Sequence, residues 1–404
     1  MKKRYIVNKS ELNIYVFLIV ISIQYAFVNT DLEFTGILST VFFLIEGIIF
    51  GIYLINRKYQ LKTFVAICIL LLIGVLTYYT TGSTAFVIML MAAVMFERIN
   101  YTKAFRLIFV IRLLLLITVI ILALAGIIDI YKREIIKSGE SSIGYGLGFT
   151  HPNRLAFVIQ FLILIYLCYK NKHLKKSNLA ILLFFTLIGY FITKSRTLLI
   201  NTTGVLVLIF LLKTSLLHKV TQMIVDIFSP LITPICAAIS IIVPLLMLKA
   251  TGQLQTVLFY INGLLSSRFT HIYRAFLNYP VTLFGGTSDF SKLQDIYSYS
   301  TIDNGYIRLL YSFGIIGFCL FILFTVISVK KLIAKKEYIY IIVCMGIAFW
   351  GINENILENF AFNFTIIFWS EILKSYHEKK KCTTFWRKIR YASKKNRFSD
   401  FIPK

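Results

Sequence analysis

The chain alternates between long apolar runs and short polar joints, and it breaks that rhythm once. Twelve apolar stretches predict membrane-crossing helices at 12–28, 34–55, 61–80, 83–96, 107–130, 152–170, 178–193, 198–213, 223–248, 304–329, 338–352 and 356–373. A helix needs about 20 apolar residues to cross the hydrocarbon, so the short stretch at 83–96 is the least typical. The break is the stretch from Lys249 to Asp303, KATGQLQTVLFYINGLLSSRFTHIYRAFLNYPVTLFGGTSDFSKLQDIYSYSTID, the one long polar-enriched segment between apolar runs. Connections longer than about 12–15 residues are usually functional or disordered. Here Leu254, Leu258, Ile261 and Leu265, then Phe269, Tyr273 and Phe276, recur near the helical period, which argues for order. We expect amphipathic helices lying over the mouth of a helical bundle. Arg268, His271 and Arg274, spaced by three, form a basic stripe, with Phe269, Tyr273, Phe276 and Leu277 on the opposite apolar side. Pro280 ends that helix, and Gly285-Gly286 marks a sharp bend.

Composition fixes the class. Of 404 residues, 58% are hydrophobic and only 15% charged, and the mean hydropathy is +0.78. No soluble core of this size needs that much apolar surface. The expected fold is an all-α polytopic integral membrane protein of about twelve transmembrane helices with one long extracytoplasmic loop at 249–303. The helical domain covers 1–373, and a basic cytoplasmic tail covers 374–404. The opening MKKRYIVNKSELNIYVFLIV has a basic lead but no small-residue cleavage site, so it reads as an uncleaved first span.

A net charge of +25 suggests nucleic acid until its location is considered. With twelve spans and both termini inside, 31 of the 43 Lys and Arg residues fall on the inner side, while the loops at 29–33, 80–83 and 351–355 hold none. This is the positive-inside pattern of a multi-pass protein of the cytoplasmic membrane, and omitting any one span inverts it downstream. The charge therefore implies no nucleic-acid partner. The basic tail suits an anionic inner leaflet, with a specific partner as the alternative. Cys68, Cys168, Cys236, Cys319, Cys344 and Cys382 fall in spans or in the tail, so no disulfide framework is expected, and no Cys/His spacing resembles a zinc site. Pro230, Pro234 and Pro244 predict a kinked or broken ninth span, and Gly47 and Gly51 a close helix contact. Glu46 beside them is a carboxyl at mid-membrane, either neutral and hydrogen-bonded or functional.

The informative anomaly is the positive charge left outside. Arg154, Lys194, Arg196, Arg268, Arg274 and Arg308 all lie at or near the outer surface. Thr150-His151-Pro152-Asn153-Arg154 reads as a cap with proline in the first turn. Ser195-Arg196-Thr197 opens the eighth span, and Asp303-Asn304 caps the tenth, with Arg308 one turn inward. A helix N-terminus is already positive, so arginine there is unfavourable without an anion. Helix N-termini with clustered arginines suit phosphate or pyrophosphate. A single arginine can instead snorkel to lipid headgroups. The whole set, against the charge bias, points to a site. His151 and His271 are the outer histidines, and His151 can serve simply as a cap. Gly144-Tyr145-Gly146-Leu147-Gly148 reads as a tight turn, since no βαβ unit surrounds it. Glu354 and Glu358, four apart, should share a helical face, where they can hold an arginine or act as a base.

These residues resemble an integral-membrane polysaccharide polymerase of the Wzy type, in the O-antigen polymerase and ligase superfamily, with a GT-C-like architecture. Its features are about twelve spans with a long outer loop in the second half, GLGFTHPNR at 146–154 and TKSRT at 193–197. Arg274 is followed after ten residues by Gly285, an Arg-ten-Gly pattern, and TIDNGYIRLLYSFGIIG at 301–317 resembles the segment re-entering the membrane. Arg154 and Arg268 meet Ile165 and Tyr279 at that spacing, so the pattern occurs once. The resemblance implies a glycosyltransferase without metal or other cofactor, acting on polyprenyl-pyrophosphate-linked oligosaccharide among membrane lipids, with a chain-length regulator and a flippase as partners. The absence of an Asp-x-Asp pair agrees with arginines in place of a metal. The expected roles are Arg196, Arg274 and Arg154 on pyrophosphate, supported by Arg268 and Arg308, with His151, Asp303 or His271 as base. A ligase of the same superfamily and a lipid-linked oligosaccharide flippase are the rival readings. A transporter predicts midplane polar groups and inverted repeats, whereas the polar residues here gather at one face.

Overall fold

The computed structural model describes residues 9–25, 27–57, 59–137, 140–264, 267–286, 289–297, 301–360 and 362–373. The tail at 374–404, with His377 and Cys382, lies outside the described residues.

Helices dominate the chain. They are α1 (Lys9–Gln24), α2 (Ile37–Ile55), α3 (Leu61–Thr81), α4 (Ala85–Met95), α5 (Tyr101–Leu124), α6 (Pro152–Lys170), α7 (Lys176–Thr193), α8 (Arg196–Leu212) and α9 (His218–Lys249). The polar segment then forms α10 (Gly252–Leu264), α11 (Arg268–Asn278) and α12 (Ser291–Tyr297), before α13 (Gly305–Ala334) and α14 (Tyr338–Asn353). Among the described residues, seven helices are long and apolar enough to cross a membrane, and five shorter apolar helices accompany them. The centre is built from helices apolar all round. All of α4 but its first residue is buried, as are most of α14 and most of α6. Around them α2, α3, α5, α7 and α9 turn apolar side chains outward, among them Ile48, Leu72, Leu114, Phe184 and Ile227, as a lipid-facing surface does.

Several sequence expectations are corrected. The chain is not wholly helical. After α5 the strands β1 (Lys132–Lys137) and β2 (Glu140–Tyr145) form an antiparallel hairpin, with Arg133 opposite Gly144 and Ile135 opposite Ser142. The last apolar stretch is not one helix. Residues 354–360 and 362–363 are irregular, followed by a 3₁₀ turn at Phe364–Trp369. The segment is tolerated because side chains satisfy it, as when Asn363 Nδ2 donates to the Leu357 carbonyl at 3.1 Å. Conversely, α9 runs unbroken through its three prolines, each of which removes one donor that a 32-residue helix can spare. Gly47 and Gly51 face open space, so they form no packing seam within this chain. Glu46 is fully buried, with neither carboxyl oxygen hydrogen-bonded among the described residues.

The break falls in α13 instead, at Gly314, whose φ is 68°. Residues 281–286 cross the gap and supply the missing acceptors. Ile315 N–H donates to the Thr282 carbonyl at 3.0 Å and Ile316 N–H to Leu283 at 3.1 Å, while Gly286 N–H donates to the Tyr311 carbonyl at 3.1 Å. The approach needs glycine on both sides. A Cβ on Gly314 would strike the Leu283 carbonyl and the Gly285 nitrogen, and one on Gly285 (φ 87°) would lie 2.5 Å from the Ser312 carbonyl oxygen. The expected bend at Gly285-Gly286 is thus also a docking point.

The polar segment has a core of its own. Met247, Leu258, Phe269, Ile272, Ala275, Phe290, Leu293, Ile302, Ile307 and Tyr311 form a second apolar cluster joining α10–α12 to the adjoining ends of α9 and α13. The buried side of α11 is Phe269, Ile272 and Ala275, while the expected apolar residue Leu277 is exposed. One helical position decides this, since Ile272 and Ala275 continue the Phe269 face.

Candidate functional site

Three helix N-termini converge at the end of the bundle beneath α10 and α11. Each is capped as its sequence predicts. His151 Nδ1 accepts from Asn153 N–H at 3.0 Å to cap α6, and Ser195 Oγ accepts from Leu198 N–H at 3.5 Å to cap α8. Asn304 Oδ1 accepts from Tyr306 and Ile307 N–H, both at 3.0 Å, to cap α13. The Asn304 amide also donates to Ser240 Oγ and to the Ile352 carbonyl, both at 2.8 Å, tying α13 to α9 and α14. Asn201 donates to the Gly346 carbonyl at 3.1 Å, where α8 meets α14 closely enough that a Cβ on Gly346 would lie 2.5 Å from Val205.

Between these helices lies a cavity of about 1570 Å³. Of the eight sequence-predicted site residues, His151, Arg154, Arg196, Arg268, His271 and Asp303 line it, together with Lys194 and Glu354. Its far wall is apolar, with Ile200, Val207, Leu208, Ile239, Val243 and Phe349 contributed by α8, α9 and α14. Arg274 and Arg308 do not line it. The Arg274 guanidinium lies 4.4 Å from the centre of the Tyr297 ring. Arg308 meets Glu358 Oε1 from Nε at 3.2 Å and from Nη2 at 3.1 Å, and Ser312 Oγ donates to Glu358 Oε2 at 2.9 Å.

Two groupings of charged side chains line the cavity. In one, Arg268 Nη2 donates to Glu354 Oε1 at 2.9 Å, Nη1 donates to the Asn353 carbonyl, and Nε lies 3.9 Å from Asp303 Oδ2. The glutamates are therefore not neighbours on one helical face. They sit in the irregular segment, and each holds a different arginine. In the other, Arg154 lies over the Phe157 ring at 5.2 Å, and Arg196 is exposed to the cavity. Neither has an ion-pair partner among the described residues. Burial, then the charges of Arg133 and Arg154, push the His151 imidazole down to about 4 in spite of Asp303. Its ring is neutral at pH 7. Burial also lowers His271, helped by Arg274. Glu354 moves the other way, since burial pushes its carboxyl up to about 7 against the pull of Arg268. Among the described residues, no three His, Cys, Asp or Glu side chains gather as metal ligands.

No family model, curated protein or solved structure matches this chain.

The cavity also contains Arg133 and Glu134, which the apolar pattern alone does not reveal. Arg133 Nη1 reaches His151 Nε2 at 2.5 Å from the hairpin. The sequence carries only a weak signal for it, the short stretches KREIIK and ESSIGY around the turn-favouring dipeptide Ser138-Gly139.

Proposed function

We propose that the protein is a membrane glycosyltransferase that polymerises polyprenyl-pyrophosphate-linked oligosaccharide repeat units into a surface polysaccharide. In this reading twelve apolar segments, the last of them not a single helix, cross the cytoplasmic membrane, both termini are cytoplasmic, and the end carrying α10–α12 faces outward. The supporting observation is a single cavity in which Arg154 and Arg196, without ion-pair partners among the described residues, stand in the first turns of α6 and α8 above an apolar wall. The helix dipoles add to the positive charge of both guanidinium groups, and the sum is stabilised by a multiply charged anion. Pyrophosphate with an attached lipid suits both halves: its oxygens take bidentate guanidinium contacts, and its hydrocarbon lies against Ile200, Val207 and Phe349. The volume exceeds the roughly 300–1,000 Å³ typical of small-molecule pockets, as two saccharide substrates require.

Chemically, the arginines stabilise the charge that builds on the lipid pyrophosphate as the glycosidic carbon transfers to an acceptor hydroxyl. Arg268 belongs in this reading to the acid–base side, because Glu354 and Asp303 already face it. The test is chain growth by the purified protein in lipid, supplied with one lipid-pyrophosphate-linked repeat unit. A ladder of products is expected. Transbilayer movement of the unit without lengthening would establish a flippase instead, and transfer of preformed glycan to a different acceptor a ligase.

A further inference from the structure

Three carboxylates line the cavity, and they are not equivalent. Glu134 stands exposed on the hairpin. The Asp303 side chain is 24% exposed and lies beside the Arg268 Nε at 3.9 Å. Glu354 is 3% exposed as a residue, yet it faces the same space. Its Oε1 is held from two directions, by Arg268 Nη2 at 2.9 Å and by Thr197 Oγ1 at 3.4 Å from the first turn of α8. Its Oε2 carries no hydrogen bond among the described residues. The rest of the segment is fixed. Glu354 N–H donates to the Trp350 carbonyl at 3.0 Å, and Ile356 N–H to the Glu354 carbonyl at 3.0 Å. A carboxylate with one oxygen clamped, the other open to the cavity and its backbone anchored is held in place to meet a hydroxyl bound there.

We propose that Glu354 is the general base of the transfer, taking the proton of the acceptor hydroxyl on Oε2, with Arg268 and Thr197 as positioning residues. This rests on the polymerase reading. In the step, the acceptor oxygen forms a bond to the anomeric carbon of the donor sugar. The bond from that carbon to the lipid pyrophosphate breaks, its electron pair leaves on the pyrophosphate oxygen, and the hydroxyl proton moves to Glu354, which later releases it to water. The histidines are less suited. His151 Nδ1 is engaged in capping α6, and both rings are made poorer bases by burial and neighbouring cations. A carboxyl raised to about 7 is matched to neutral pH.

The experiment compares wild type, Glu354→Gln and Glu354→Asp in the chain-growth assay from pH 5.5 to 9, with binding of the lipid-pyrophosphate unit measured alongside. Wild-type rate should rise with pH and reach half its maximum near 7, because the ionised carboxylate is the active form. Glu354→Gln should lose about 100- to 10,000-fold in turnover while still binding the donor, which also shows that it folds. Glu354→Asp should keep the shape of the pH profile at a reduced rate. A Glu354→Gln protein within a few-fold of wild type, or one retaining the same acid limb, overturns the assignment while leaving the polymerase reading intact. No chain growth by wild type overturns that reading, and this assignment with it.

Discussion

Replacing Arg268 with alanine would remove a cation that faces both Glu354 and Asp303. The magnitude follows from burial. The Arg268 and Glu354 side chains are 16% and 4% exposed, so their 2.9 Å contact is an interior ion pair. Removing one member of such a pair typically costs about 3–5 kcal/mol. The Asp303 contact, at 3.9 Å with a side chain 24% exposed, adds no more than about 1 kcal/mol. Glu354 can soften the loss by taking a proton, and this gives the prediction its pH dependence. Its folded pKa, about 7, already lies above its ordinary value near 4.5, and Arg268 is the neighbour that most holds it down. Without Arg268 it rises further. A carboxyl that binds its proton more tightly when folded loses stability as pH climbs through the folded pKa. Arg268→Ala should therefore be mildly destabilised at pH 6 and more strongly so at pH 8.5, by about 1.4 kcal/mol per unit of added shift. Thermal unfolding in lipid nanodiscs at both pH values reads the difference. Glu354→Gln combined with Arg268→Ala should recover part of the loss, since the neutral amide leaves no buried charge behind. Equal destabilisation at both pH values, or strict additivity in the double variant, would refute the ion-pair account.

Three further outcomes follow, the first two on the polymerase reading. Arg154→Lys and Arg196→Lys should each slow chain growth by about 100- to 1000-fold at matched expression, since an ammonium cannot hold two phosphate oxygens. Arg274→Lys, with its guanidinium over Tyr297 outside the cavity, should cost under tenfold; the reverse order would place the anion site on the outer face of α11. Gly314→Ala should cost at least about 1–3 kcal/mol through its left-handed backbone alone, before the clash with Leu283, and a variant melting with wild type would mean that α13 straightens.

Much of this architecture is legible in the sequence because lipid imposes one rule on every segment. The apolar runs give the helices, and His151-Pro152, Ser195 and Asn304 mark three starts that the structure caps as expected. The bringing together of residues as distant as Arg154, Arg196 and Arg268 follows from those starts lying at the same end. What stays hidden is pairing. Arg268 and Arg308 both read as outer arginines, yet one faces the cavity with Glu354 and the other is held by Glu358, and the charge pattern does not distinguish them. Glu354 and Glu358 mislead for a related reason. Their spacing of four suits one helical face, but hydrogen bonds from Asn363 to the Leu357 carbonyl and from Ser312 to Glu358 support an irregular path instead. The hairpin was hidden by its brevity, because six-residue strands give little signal between long apolar runs.

The contact between residues 281–286 and the interrupted α13 has a consequence for exchanging specificity between proteins. Backbone groups of the polar segment complete the hydrogen bonding of α13, and each partner needs glycine where they touch. Transplanting residues 249–303 alone would therefore leave two ragged ends, a helix short of acceptors and a loop with nowhere to dock. The portable cassette extends through Gly314 to residue 317, and a graft cut to that length carries its own lock and key.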